Sequence, residues 1–208
     1  MVTLCIPTLK RYDTLTACLE SARDSSVKPD CVCIMDNGRA LPAAQLALYR
    51  EWFDSVMYIV PKTNLGCAKS WNFFLSMFPD PVIICNDDIQ FHKTTIEDLV
   101  AASEQQPDAQ FFYAQANTGH DNSWSCFLQR VGTLTTIGSY DEEFYPAYFE
   151  DNDYSWRLVC NGTPPVKVNT LFEHVGSATL AAYTPEELAL HHHNFRLNEQ
   201  YYIQKWGG

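Results

Sequence analysis

The sequence predicts an α/β fold in a single domain, with a mostly parallel central sheet flanked by helices. Three observations carry that prediction. Four short apolar runs alternate with stretches of helical spacing through the first half of the chain. Those runs are apolar on both faces, as strands are when helices cover both sides of a parallel sheet. Each run, or the loop just after it, ends in small polar or acidic residues, at the strand ends where such sheets bind ligands.

The elements follow in order. Residues 2–8 (VTLCIPT) read as the first strand, and Leu15, Cys18, Leu19 and Ala22 then recur at helical spacing. Residues 31–35 (CVCIM) form a second strand, stopped by the turn signal Asp36-Asn37-Gly38. A helix through Leu46, Tyr49 and Trp52/Phe53 leads to a third strand, 56–60 (VMYIV). After the loop PKTNLG, a helix with Ala68, Trp71, Leu75 and Phe78 precedes a fourth strand at 82–85 (VIIC). That strand runs directly into Asn86-Asp87-Asp88. Past residue 106 the pattern changes: strands are expected at 111–115 and 125–130, a short helix near 131–138, and a brief strand at 166–168 before His174. Pro185 and Glu186-Glu187 mark the start of a last helix, and Gly207-Gly208 its end. With no repeat or linker, the chain divides into a nucleotide half (about 1–106) and an acceptor half (about 107–208) of one domain.

A length of 208 residues suits one substantial core. No apolar run approaches the ~18 residues a membrane span needs, and the start lacks the layout of a secretion signal, so a cytoplasmic location is expected. Lys and Arg number 14 against 25 Asp and Glu, and the net charge of −11 would repel a nucleic-acid backbone. An anionic nucleotide could still bind if a divalent metal supplied positive charge. Of the eight cysteines, Cys5, Cys31, Cys33 and Cys85 lie in apolar strand-like runs, and no C-x-x-C spacing occurs, so buried free thiols are expected.

Three constellations could carry chemistry. Asn86-Asp87-Asp88 puts adjacent carboxylates at a strand end, where they repel each other unless a cation sits between them or between one and a ligand; a solvated turn is the plainer alternative. In Glu150-Asp151-x-Asp153 a carboxylate could take a proton from an attacking hydroxyl. The same run could start a helix, with Asp153 pairing to Arg157 at i,i+4. Both hold if Asp153 and Arg157 are structural and Asp151 does chemistry. His174, beside Gly176 and Ser177, reads as a loop residue near a phosphate, although a lone His is more often a structural hydrogen bonder. Were it to join Asp88 on one ion, the imidazole would favour Mn²⁺ over Mg²⁺. The run His191-His192-His193 reads as a solvated helical segment and not a metal site, because consecutive residues point different ways. The sequon Asn161-Gly162-Thr163 has little meaning in a cytosolic protein.

Taken together, these segments resemble the family-2 glycosyltransferases of the GT-A (Rossmann-like) fold, over residues 2–179 or so. Pro7-Thr8 with Arg11 resembles the V-x-I-P-T-x-x-R opening, and Asp36-Asn37-Gly38 the turn that contacts uracil and ribose. Asn64-Leu65-Gly66 with Asn72 is similar to N-x-G followed by a helical Asn. Asn86-Asp87-Asp88 stands where the family has its DxD-type motif, with Asn in place of the first Asp. Gly138 to Phe144 resembles G-x-x-D-E-x-F, and Glu150-Asp151-x-Asp153 with Arg157 resembles E-D-x-D-x-x-x-R, whose second acid is the usual base. His174 is similar to the late His that completes the metal shell.

The resemblance implies a metal-dependent transfer of a sugar from a nucleotide-diphosphate donor, a UDP-sugar favoured, to a hydroxyl of a carbohydrate or other acceptor in glycan synthesis. Pro7, Thr8, Arg11, Asp36, Lys62, Asn64, Gly66, Asn86, Asp87 and Asp88 would bind the donor nucleotide. Asp88 and His174 would hold Mn²⁺ or Mg²⁺, and Asp151 would be the base of an inverting displacement; a retaining outcome is the alternative. The chain is short for the family, which suits a domain of a larger polypeptide or a small acceptor. A sugar-phosphate nucleotidyltransferase would want a Gly-rich loop after the first strand, where this chain reads PTLKRYDT. A non-enzymatic carbohydrate-binding module, suggested by 11 Tyr and 5 Trp, would want a β-sandwich instead of alternating helices.

Overall fold

The structure, a computed structural model, describes residues 1–79, 81–118, 123–174 and 182–207. Its strands are β1 (Thr3–Thr8), β2 (Cys31–Asp36), β3 (Val56–Ile59), β4 (Val82–Cys85), β5 (Ile89–Phe91), β6 (Phe111–Ala116), β7 (Cys126–Gln129) and β8 (Val166–His174). The helices are α1 (Tyr12–Arg23), α2 (Ala43–Trp52), α3 (Gly66–Met77), α4 (Thr95–Gln105), α5 (Thr133–Thr136), α6 (Glu150–Cys160) and α7 (Pro185–Trp206). The strands form one sheet in the order β3-β2-β1-β4-β7-β6-β8-β5.

The expected parallel sheet is the half β3-β2-β1-β4, with Cys5 opposite Cys33 and Ile84. Beyond β4 the sheet is mixed: β7 runs antiparallel to β4 and β6, β8 is parallel to β6, and β5 closes the far edge antiparallel to β8. Both faces are covered. Leu4, Ile6, Val32 and Ile34 pack with Leu15 and Leu19 of α1 and Ile96 and Leu99 of α4. The intervening Cys5, Cys33 and Met35 face Trp71, Phe74 and Leu75 of α3 and Tyr154 and Leu158 of α6. Burial of one such side chain, Phe74 for example, contributes roughly 2–3 kcal/mol. All eight cysteines are free thiols, with Cys5, Cys33 and Cys85 fully buried among the apolar side chains.

Four elements differ from the sequence reading, one of them the helix α4, which it did not place. The brief strand at 166–168 continues to His174, because residues 168, 170 and 172 alternate inward along it. That places His174 on a strand end, paired with Ile89, rather than in a loop. The strand β5, formed by residues just past Asp88, is an addition. The expected helix at 131–138 is a single turn, α5. The last helix starts as expected: Thr184 and Glu187 form a reciprocal capping box with Pro185 in the first turn. Gly207 ends it with φ +81°, and Gly208 lies outside the described residues. Among the described residues no helix is long and apolar enough to cross a membrane.

Candidate active site

A cleft of about 430 Å³ opens at the carboxyl ends of β1, β2 and β4. Pro7, Thr8, Asn37, Asn64, Gly66, Asn86, Asp87, Asp88, Asp151 and His174 all line it, although they come from far-apart segments.

The β1 end is held by side-chain chemistry. Thr8 Oγ1 donates to Asp87 Oδ2 at 2.6 Å. Burial pushes the Asp87 carboxyl up to about 7; the Thr8 hydroxyl opposes that shift and the Asp88 charge adds to it. Asn86 packs its backbone and amide on Ser125.

Asp36 has a different place from the one expected. It is fully buried, and its carboxylate accepts from the hydroxyls of Tyr12 and Tyr58, each at 2.8 Å, and from the backbone N–H groups of Arg39 and Leu41. It therefore ties down the loop after β2 rather than facing the cleft. Its neighbour Asn37 does line the cleft, accepting from Leu65 N at 2.8 Å and donating to Ser70. Gly38 is needed for space, since a Cβ there would lie 1.6 Å from the Leu9 carbonyl oxygen. Lys62 is exposed and off the cleft wall, its carbonyl accepting from Arg39 Nη1 at 2.9 Å. Arg11 forks onto Asp13 at 2.9 and 2.7 Å, and the charges of Asp87 and Asp88 also reach it.

Gly66, with φ +72°, opens α3 where a Cβ would lie 2.5 Å from the Pro146 carbonyl oxygen. That close approach lets Cys67 N donate to Pro146 O at 2.8 Å and docks the turn before α6. Tyr148 and Phe149 both have positive φ, a conformation costing roughly 1–3 kcal/mol per residue. Asn198 of α7 holds them by donating to the carbonyls of Ala147 and Tyr148. The strained turn delivers Glu150 and Asp151 to the cleft in the first turn of α6, where the helix dipole favours negative charge.

Asp153 and Arg157 take the structural role expected of them. Asp153 is fully buried, gripped by Arg157 Nε and Nη2 at 2.9 and 2.8 Å, and reached by Trp206 Nε1 and Lys205 Nζ. Asn72 likewise holds the Tyr140–Glu142 segment with three hydrogen bonds.

The two acids at the start of α6 differ. Burial raises the Asp151 carboxyl above its ordinary value, opposed by backbone N–H groups that include Asn152 N at 2.8 Å. Glu150 is 4% exposed, and its Oε2 has no hydrogen-bond partner among the described residues. Burial pushes it well above the usual carboxylate range and the adjacent Asp151 charge pushes further, so of the two raised acids Glu150 is the one held more strongly toward its protonated form. Sequence reasoning singled out Asp151; only the missing partner at Glu150 marks that residue. The cleft wall also carries the buried Trp71 Nε1, which has no hydrogen-bond partner among the described residues, with the Trp71 and Trp124 rings stacked 6.0 Å apart.

At the far end of β4, His174 Nε2 lies 3.2 Å from Asp88 Oδ1. That is an ion-pair distance, and the carboxylate oxygen and imidazole nitrogen it brings together are donor types that a divalent cation also takes. Among the described residues no three His, Cys, Asp or Glu side chains form a complete metal cluster. Gly176 and Ser177, read as part of this loop, lie outside the described residues.

Comparisons with known proteins agree with this fold. S. aureus TarS superposes with a TM-score of 0.63 at 17% identity, covering 83% of this chain and 34% of TarS. A TarS fragment in complex with UDP-GlcNAc gives 0.62 at 16% identity, over 84% of this chain and 56% of that one. A mannosyltransferase from Pyrobaculum calidifontis, in complex with GDP-Man and Mn²⁺, gives 0.64 at 13% identity, over 83% of this chain and 56% of that one. At such identities these likenesses concern the fold. By sequence, a galactofuranosyl glycosyltransferase of Leishmania donovani is 40% identical over 45 residues, 22% of this chain and 10% of that protein. This chain thus spans between 10% and 56% of the length of these proteins. The model of glycosyl transferase family 2 matches residues 3–156, a stretch running from β1 through the two acids of α6, and the chain belongs to that family.

Proposed function

We propose that this domain transfers a sugar from a nucleotide-diphosphate donor, a UDP-sugar favoured, to a hydroxyl of a carbohydrate or other acceptor, with inversion at the anomeric carbon. The observation that carries the reading is that the Asp88–His174 pair and Asp151 line one and the same cleft.

The nucleotide is placed across the carboxyl ends of β1, β2 and β4. Pro7, Asn37 and Asn64 border the base and Thr8, Asn86 and Asp87 the ribose, while Asp36 keeps the loop beside the base in place. Asp88 and His174 would hold Mn²⁺ or Mg²⁺, an ion that would supply positive charge to offset the charge developing on the leaving nucleotide. Asp151 takes the proton of the acceptor hydroxyl as that oxygen bonds to the anomeric carbon. The carbon–oxygen bond to the donor's β-phosphate breaks in the same step, and its electron pair leaves with the nucleoside diphosphate. A raised carboxyl suits a base working near neutral pH, and Glu150, held more strongly toward its protonated form, leaves Asp151 as the more readily ionised of the pair.

The test is calorimetric titration with UDP-GlcNAc, UDP-glucose and GDP-mannose in Mn²⁺, then in EDTA. At least one donor should bind only with metal, and Asp88→Ala should abolish that binding. Failure of every donor to bind in Mn²⁺ would refute the reading, and binding unaltered in Asp88→Ala would remove the metal assignment.

A further inference from the structure

The family match ends at residue 156, yet the cleft wall continues into the segment beyond it, through Tyr183 and His191. His191 is the one member of its three-His run that turns inward; His192 and His193 are exposed. Its ring meets Tyr148 edge-on at 5.2 Å and Tyr183 at 5.9 Å, so three rings form a continuous aromatic patch in the cleft lining. Each is anchored. Asn198 fixes Tyr148 through its carbonyl, and Phe195 packs on Tyr148 and Phe149. Lys10, ion-paired with Glu187, lies 5.3 Å over the Tyr183 ring and ties the start of α7 to the loop after β1.

We propose that Tyr148, Tyr183 and His191 form a saccharide-binding platform that receives the acceptor sugar beside Asp151, so that α7 sets acceptor choice. This deepens the transferase reading and rests on it. The chemistry selects a neutral, polyhydroxylated ring. Aromatic faces cover the C–H side of a sugar, while tyrosine hydroxyls and the imidazole edge bond its hydroxyls. Burial and the neighbouring His192 lower the His191 pKa, leaving at neutral pH an imidazole with one donor and one acceptor nitrogen. The Lys10–Glu187 pair cancels charge beside Tyr183, and the cleft is lined by Asp87, Asp88 and Asp151, which disfavours an anionic acceptor.

Saturation-transfer NMR with methyl α-mannopyranoside, methyl β-galactopyranoside and methyl β-N-acetylglucosaminide, in the presence of UDP and Mn²⁺, tests the platform. At least one glycoside should receive saturation on its ring C–H face. Its affinity should fall about tenfold in Tyr183→Ala and again in His191→Ala. Calorimetric UDP affinity, unchanged in both variants, certifies their fold. Saturation undiminished in the double variant, no saturation of any glycoside, or an equal loss of UDP affinity would overturn the proposal. Glycoside binding that depends on these rings in a protein that takes up no nucleotide would keep the platform and remove the transferase reading.

Discussion

Replacing Glu150 by Gln should stabilise the protein relative to wild type by an amount that grows as pH rises above 5. Glu150 is 4% exposed with one carboxyl oxygen unpartnered, and burial beside Asp151 raises its folded pKa well above the unfolded value. Between those two values the folded state keeps a proton that the unfolded state has released, so wild-type stability falls with increasing pH. The slope has a ceiling of about 1.4 kcal/mol per pH unit. From pH 5 to pH 7 the relative gain of Glu150→Gln therefore reaches at most about 2.7 kcal/mol, or roughly 5 to 10 °C in Tm for a chain of this size. Any constant offset from the amide's own hydrogen bonding drops out, because the comparison is between two pH values. Thermal melts of both proteins at pH 5, 6 and 7 supply the measurement. A Tm difference that stays flat across that range would show that Glu150 ionises normally in the folded protein. It would also remove the argument that Asp151 is the more readily ionised of the pair.

Other substitutions probe the remaining parts of the site. Asp151→Asn should leave calorimetric donor binding nearly intact and cut transfer about 100-fold or more, the usual weight of general-base catalysis; near-normal turnover would sink the base assignment. Asp36→Ala strands the Tyr58 hydroxyl and the Leu41 N–H, and leaves the Tyr12 hydroxyl and Arg39 N–H only their longer contacts to the Leu9 and residue-36 carbonyls. At about 1–3 kcal/mol for each unsatisfied group, urea denaturation should register a loss of at least about 3 kcal/mol. A loss below 1 kcal/mol would show that water re-satisfies the loop. Gly66→Ala meets both a φ of +72° and the Pro146 carbonyl. It should lower stability by about 2 kcal/mol and reduce transfer by displacing the turn before Asp151; unchanged turnover would uncouple that turn from catalysis.

The parallel half of the sheet and its ligand edge were legible in the sequence because they rest on local signals. An apolar run of strand length, closed by Asp36-Asn37-Gly38 or opening onto Asn86-Asp87-Asp88, carries its own periodicity and its own stop. The helix starting at Thr184 was readable for the same reason, since capping residues act within one turn. The Asp153–Arg157 pair lies four residues apart on a helix and could be read from spacing alone.

Tertiary structure decided everything that depends on distant segments meeting. The edge strand β5 exists only because β8 lies beside it, and β8 reaches His174 because its alternating residues find a core to enter. Asp36 was expected at the base of a nucleotide, but four donors, from α1, β3 and its own following loop, converge on its carboxylate and turn it inward. Lys62 sits in a loop of the right composition, and only the path of that loop carries it away from the cleft. The raised carboxyl of Glu150 and the inward turn of His191 have no sequence signature, because burial and partner count are properties of the packed chain. Residue type and spacing set which groups were available; the packing of α3, α6 and α7 around one cleft determined which of them face it.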